Sequence, residues 1–66
     1  MKKIRLKKEI YSRQNLNEAI KAYGNIARIL ILPNKDEYVM QFFDCKYGED
    51  RTIKEFENYL IGLENS

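Results

Sequence analysis

The run Tyr38-Val39-Met40-Gln41-Phe42-Phe43 is the most apolar strand-like stretch of the chain, and its place in a sheet decides the fold. It follows a turn-forming segment, Pro33-Asn34-Lys35-Asp36, and precedes the acidic pair Glu49-Asp50 at a helix start. A strand with apolar residues on both sides belongs in the middle of a sheet. The segments before and after it then have a surface to pack on.

Immediately upstream, residues 26–32 form the other arm of a hairpin. Pairing Leu32 with Glu37 sets Ala27, Ile29 and Ile31 opposite Phe42, Met40 and Tyr38 on one face. On the other, Ile26, Arg28 and Leu30 oppose Phe43, Gln41 and Val39. Polar then meets polar and apolar meets apolar, the condition for a defined register. The first face is expected to carry the helices. The second keeps Ile26, Leu30, Leu32, Val39 and Phe43 on a side without them. Contiguous exposed apolar surface marks a partner or ligand site. The competing explanations are a tail that folds over the patch, or a different register.

Residues 3–10 alternate, with Ile4, Leu6 and Ile10 on one side and Lys3, Arg5, Lys7 and Glu9 on the other. Period two with one polar face predicts a half-buried strand. Its lysines are the kind that protect a sheet edge from unwanted pairing. A helix is predicted over 13–23, where Leu16, Ala19, Ile20 and Tyr23 make one apolar stripe. Ser12 is the expected N-cap, since Tyr11 and Leu16 then hold hydrophobic-staple spacing; Asn15, with Glu18 three residues on, is the rival. Gly24 is expected to close the helix in the left-handed region. A second helix is predicted over 52–61, with Thr52 and Glu55 as a capping box. Glu49 and Asp50 lie ahead of its positive end, Ile53, Phe56, Leu60 and Leu63 form its stripe, and Gly62 stops it.

The order is strand, helix, strand, strand, helix. A right-handed crossover makes the first two strands parallel, with the third between them. The expected fold is therefore α+β: a three-stranded sheet in order 1-3-2 with two helices on one face. This βαββα arrangement is ferredoxin-like without its last strand, which would have paired with residues 3–10.

Sixty-six residues make one domain, spanning residues 1–66. One cysteine precludes an internal disulfide, and the absence of histidine removes the usual zinc ligand sets. Net charge is +2, yet residues 1–35 hold nine basic and two acidic side chains, and residues 36–66 three basic and eight acidic ones. Such asymmetry gives each half its own electrostatic character. No run approaches a membrane span and no signal-peptide pattern opens the chain, so a cytoplasmic location is expected. The lone Cys45 suits a reducing compartment.

Catalytic chemistry finds no support. Without histidine nothing obvious activates a serine or cysteine. Asp44 beside Cys45 raises a thiol pKa rather than lowering it. Asp44, Glu49 and Asp50 lack the calcium-loop pattern and read as a solvated acidic loop. The glycines, Gly24, Gly48 and Gly62, form no phosphate loop. The expectation is a non-enzyme with no cofactor and no metal.

Two binding classes remain. A small sheet with an open face and a basic edge has the outline of an RNA-binding module. Residues 38–43 lack the glycine-and-basic pattern that accompanies exposed aromatics in such modules, and Phe43 is the sole aromatic on the open face, so nucleic acid through Lys2–Lys8 is the weaker alternative. Peptide or protein binding absorbs more features. An unpaired edge accepts a guest strand while adjacent apolar surface selects side chains. Leu30, Val39 and Phe43, with Ile26 on the same face, are the expected contacts, and Arg5 and Lys7 steer an acidic partner. A homodimer sharing the sheet is a third reading.

Three stretches carry a family likeness: Ile10-Tyr11-Ser12 leading into Asn17-Glu18-Ala19-Ile20, the hairpin Ile29–Phe43, and Glu55-Phe56-Glu57-Asn58-Tyr59-Leu60. In these, across residues 9–63, the chain resembles the HxsD-like proteins of the His-Xaa-Ser system. Those are small accessory proteins found beside radical-SAM enzymes that modify ribosomally made peptides. The resemblance implies a non-catalytic partner of a maturation enzyme or of its peptide substrate. The N-terminal lysine cluster departs from the pattern associated with that family.

Overall fold

The computed structural model describes residues 2–66. Five elements follow in order: β1 (Lys2–Lys7), α1 (Arg13–Ala22), β2 (Arg28–Leu32), β3 (Glu37–Phe43) and α2 (Glu49–Glu64). The sheet order is β1-β3-β2, with β3 antiparallel to both neighbours, so β1 and β2 run parallel to each other. The α+β architecture is the one the sequence implies, with the apolar run in the centre.

The hydrophobic core lies between the sheet and both helices. Leu6, Met40 and Phe42 come from the sheet, Leu16 and Ala19 from α1, and Ile53, Phe56 and Leu60 from α2. Phe42, Phe56, Leu16, Met40 and Leu60 are fully buried. The Phe42 and Phe56 rings meet edge to face, centroids 5.3 Å apart, and Phe56 meets Tyr23 in the same way at 5.6 Å. Such pairs add about 0.5–1.5 kcal/mol each beyond their buried area.

Several element boundaries differ from the sequence expectation, and local hydrogen bonds account for those of β1 and β2. β1 stops at Lys7 because its carbonyl accepts from the N–H groups of Ile10 and Tyr11, at 3.1 and 3.2 Å. This turn over residues 8–10 ends the strand and leaves Ile10 60% exposed, so Ile10 is no part of the strand's apolar side. β2 begins at Arg28 rather than residue 26. The N–H groups of Ile26 and Ala27 both donate to the Tyr23 carbonyl at 3.0 Å, which keeps them in a turn.

α2 starts at Glu49, with Gly48 as its N-cap at φ 94°, so Thr52 is not a cap. Instead Thr52 is buried within the helix. Gly62 does not stop α2, which continues to Glu64. Nor does Gly24 close α1 in the left-handed region. Tyr23 is the C-cap at φ −99°, and among the described residues positive φ occurs at Asp44 and Gly48.

The hairpin register is shifted by two residues. Leu32 pairs with Val39, Leu30 with Gln41 and Arg28 with Phe43. The Asn34 side-chain oxygen accepts from the N–H groups of Asp36 and Glu37, at 3.0 and 2.9 Å, and so holds a wider loop than the expected one. An even shift preserves which side chains share a face, because the side-chain period is two. Ile29, Ile31, Met40 and Phe42 still face the helices; Arg28, Leu30, Leu32, Val39 and Gln41 still face away.

Both ends of α2 are tied to the segment carrying β1. At its start Asp50 forms an ion pair with Lys2. At its end one oxygen of Glu64 accepts from the Ser12 backbone N–H (3.0 Å), the Ser12 hydroxyl (3.3 Å) and the Asn15 side-chain amide (2.8 Å). Ser12 is also the α1 N-cap, accepting from the Asn15 N–H at 3.1 Å. Hydrogen bonds from Asn15 and then Ser12 hold the Glu64 carboxyl below its ordinary pKa.

Candidate partner-binding surface

The sheet face away from the helices has three columns. β1 contributes Lys3, Arg5 and Lys7; β3 contributes Glu37, Val39, Gln41 and Phe43; β2 contributes Arg28, Leu30 and Leu32. The face is basic along β1 and apolar toward β2. Leu30 is 47% exposed, and Leu32 and Phe43 are half-buried. None of the three belongs to the core under the helices.

Two expected site residues stand differently. Val39 is on this face but only 5% exposed, so it offers a partner almost no surface. Its register neighbours Arg5 and Leu32 flank it, and Arg5 reaches past it to donate to Glu37 at 3.2 Å. Ile26 is not on the face at all. It lies in the turn before β2, where its carbonyl accepts from the Lys46 N–H at 2.8 Å. Leu30, Phe43, Arg5 and Lys7 are brought together on one face, and Leu32 joins them.

Charge on this surface is partly neutralised. Arg5 pairs with Glu37 and Arg28 with Asp44 at 3.7 Å, while Lys2 is held by Asp50 on the helix side. Exposed pairs of this kind are weak, so an incoming carboxylate can compete for them. Asp50 raises the pKa of Lys2, first through its hydrogen bond and then through its charge. Lys3 and Lys7 have no carboxylate within ion-pair reach among the described residues.

A cleft of about 280 Å³ lies beyond the end of β1, lined by Lys8, Arg13, Pro33, Asn34 and Tyr38 among others. Lys8 Nζ sits 5.6 Å and the Arg13 guanidinium 5.9 Å from the Tyr38 ring centre. Lys8 also donates to the Asn34 carbonyl at 2.7 Å. Sequence reading takes Tyr38 as a core residue only. The cations around it come from segments whose approach needs the β1–β3 register, which no local pattern reveals.

Cys45 is half-buried, and burial pushes its thiol pKa up, with the nearby Thr52 hydroxyl opposing the shift and Glu49 and Asp44 adding to it. A thiol held protonated is a poor nucleophile. Among the described residues, no helix is long and apolar enough to cross a membrane.

These features define a class: a small βαββα domain with one face sealed by helices, one open face and an unpaired edge strand. Comparison with protein-family models, with curated proteins and with solved structures finds no match.

Proposed function

We propose that the chain is a non-enzymatic peptide- or protein-binding accessory module, of the kind that partners radical-SAM peptide-maturation enzymes or their substrates. One observation carries this reading: Leu30, Leu32 and Phe43 lie uncovered by helices on the face whose other border is the basic strand β1. Exposed apolar surface beside an open edge is what strand-accepting domains offer their guests. Leu30 and Phe43 supply the apolar contacts, and Arg5 and Lys7 attract an acidic partner.

Nucleic acid is less well served by this surface. Lys2 and Arg5, two of the five cations in residues 2–8, already face carboxylates, and Phe43 is the face's one aromatic ring. Single-stranded nucleic acid needs stacking platforms as well as charge.

The test is to pan a displayed random-peptide library against the protein and then against the double variant Leu30→Asp, Phe43→Asp. Peptides that bind the parent and lose at least about tenfold in affinity for the variant support the reading, a change of about 1.4 kcal/mol. Selected peptides that bind both proteins equally, or a library that yields no binder, overturn it.

A further inference from the structure

We infer that the occupant of the β1 edge is an extended acidic peptide segment in which acidic and apolar residues alternate. This rests on the binding role proposed above and specifies the guest.

The direction of the backbone groups comes first. Lys8 N–H donates to the Asp36 carbonyl at 3.1 Å, continuing the β1–β3 pairing in which Leu6 meets Tyr38 and Ile4 meets Met40. Opposed residues of an antiparallel pair alternate between hydrogen-bonded and non-hydrogen-bonded. Lys2, Ile4, Leu6 and Lys8 therefore bond inward to β3, and the backbone of Lys3, Arg5 and Lys7 points outward. The Lys7 carbonyl agrees, being used by Ile10 and Tyr11 in the turn outside the sheet. The N–H and C=O of Lys3 and Arg5 and the N–H of Lys7 are left facing an edge that no described strand covers.

The side chains follow from the same parity. The residues with outward backbone groups are those whose cationic side chains lie on the open face. An antiparallel guest thus makes hydrogen-bonded pairs with Lys3, Arg5 and Lys7, its side chains at those positions standing beside three cations. Opposite charges across a strand pair are favourable and like charges are not. The guest residues in between lie opposite Ile4 and Leu6, in the closer, non-hydrogen-bonded pairing, on the helix side.

On that side Ile4 and Leu6 lie beneath a helix. Asp50 meets Lys2 at one end of β1, and Glu64 meets Ser12 beyond the other, so α2 runs along β1. Tyr59 faces Tyr23, at a ring distance of 5.7 Å, toward α1. The opposite flank of α2, spaced Asp50, Lys54, Glu57 and Ile61, therefore overlooks the free edge. Ile4, near the Asp50 end of that flank, is only partly buried, and Ile61, farther along toward the Ser12 end, is 44% exposed. An apolar guest side chain opposite Ile4 covers what that residue leaves exposed. A second copy of the chain fits poorly, because two β1 edges would set lysine against lysine.

The probe is a blocked synthetic peptide, Glu-Val-Glu-Val-Glu flanked by glycines, titrated at low salt. Expected are slowed hydrogen exchange at the amides of Lys3, Arg5 and Lys7 with Ile4 and Leu6 unchanged, and at least about tenfold weaker binding of the Lys-Val-Lys-Val-Lys counterpart. Arg5→Pro removes one outward donor and no bond to β3, so it keeps the fold and loses the peptide. If Arg5→Pro does not fold, the double reversal Arg5→Glu, Lys7→Glu decides, and it is expected to exchange the preference between the two peptides. Equal binding of both peptides, or protection at Ile4 and Leu6 in place of the odd residues, overturns the inference. Library-selected peptides that depend on Leu30 and Phe43 but ignore Arg5→Pro also overturn it, while leaving the open-face reading intact. Self-association through β1 in place of peptide binding, seen by light scattering, overturns it too.

Discussion

The two faces of one sheet reach burial by different routes. On the helix side Phe42 and Met40 are fully covered by residues from elements distant in sequence. On the other side Val39 reaches 5% exposure with no helix above it. There the central column is screened in the plane of the sheet, by β1 and β2 side chains and by the Arg5–Glu37 pair. Burial alone therefore does not identify the covered face. Covering by another element couples a residue to the whole fold, whereas screening by neighbours couples it to the strand pair.

Substitutions should separate the two routes. Phe42→Ala should have the largest effect, lowering unfolding free energy by about 3–5 kcal/mol in a urea titration, since the cavity opens against Phe56. Val39→Ala should cost clearly less, about 1–2 kcal/mol for the methyl groups lost, because its long, mobile neighbours can close over the gap. Equal losses at the two positions would show that the open face is as rigidly packed as the core.

A smaller effect, visible only in acid, is expected at Glu64. Its carboxyl is held below the ordinary value of 4.5 in the folded protein. A depressed folded pKa gives stability that is full above the unfolded pKa and is lost as pH falls through the folded one. Glu64→Gln keeps an acceptor for Ser12 and Asn15 but removes the titration. Thermal midpoints of parent and variant should therefore converge as pH falls below about 4; a constant gap would deny the clamp its charge dependence. Smallest of all, Leu30→Asp should change stability by no more than about 0.5 kcal/mol, as expected of an exposed position. A larger loss would mean that Leu30 packs as Val39 does.

Much of this architecture is legible in local pattern. The alternation in β1, the apolar stripes of α1 and α2, and Ser12 as a cap each depend on residues within a few positions of one another. Residue parity also identifies the face away from the helices, even though the hairpin register differs from the expected one by two residues. What local pattern misses depends on groups acting out of turn. Asn34 widens the loop by bonding two later N–H groups, Tyr23 keeps Ile26 out of β2, and Thr52 serves as a buried helix residue although its spacing to Glu55 mimics a cap. The site suffers in the same way. Leu30, Phe43, Arg5 and Lys7 do share a face, but the low exposure of Val39 depends on the β1–β3 register, which brings Arg5 and Glu37 together across more than thirty residues.

The Glu64 clamp also bears on the order of assembly during synthesis. The ten residues of α1 are too few to hold a helix unaided in water. The carboxylate that completes their first turn is 52 positions downstream of Ser12. Synthesis delivers that group after the whole of α1, so the helix should become persistent only late, together with the last turn of α2.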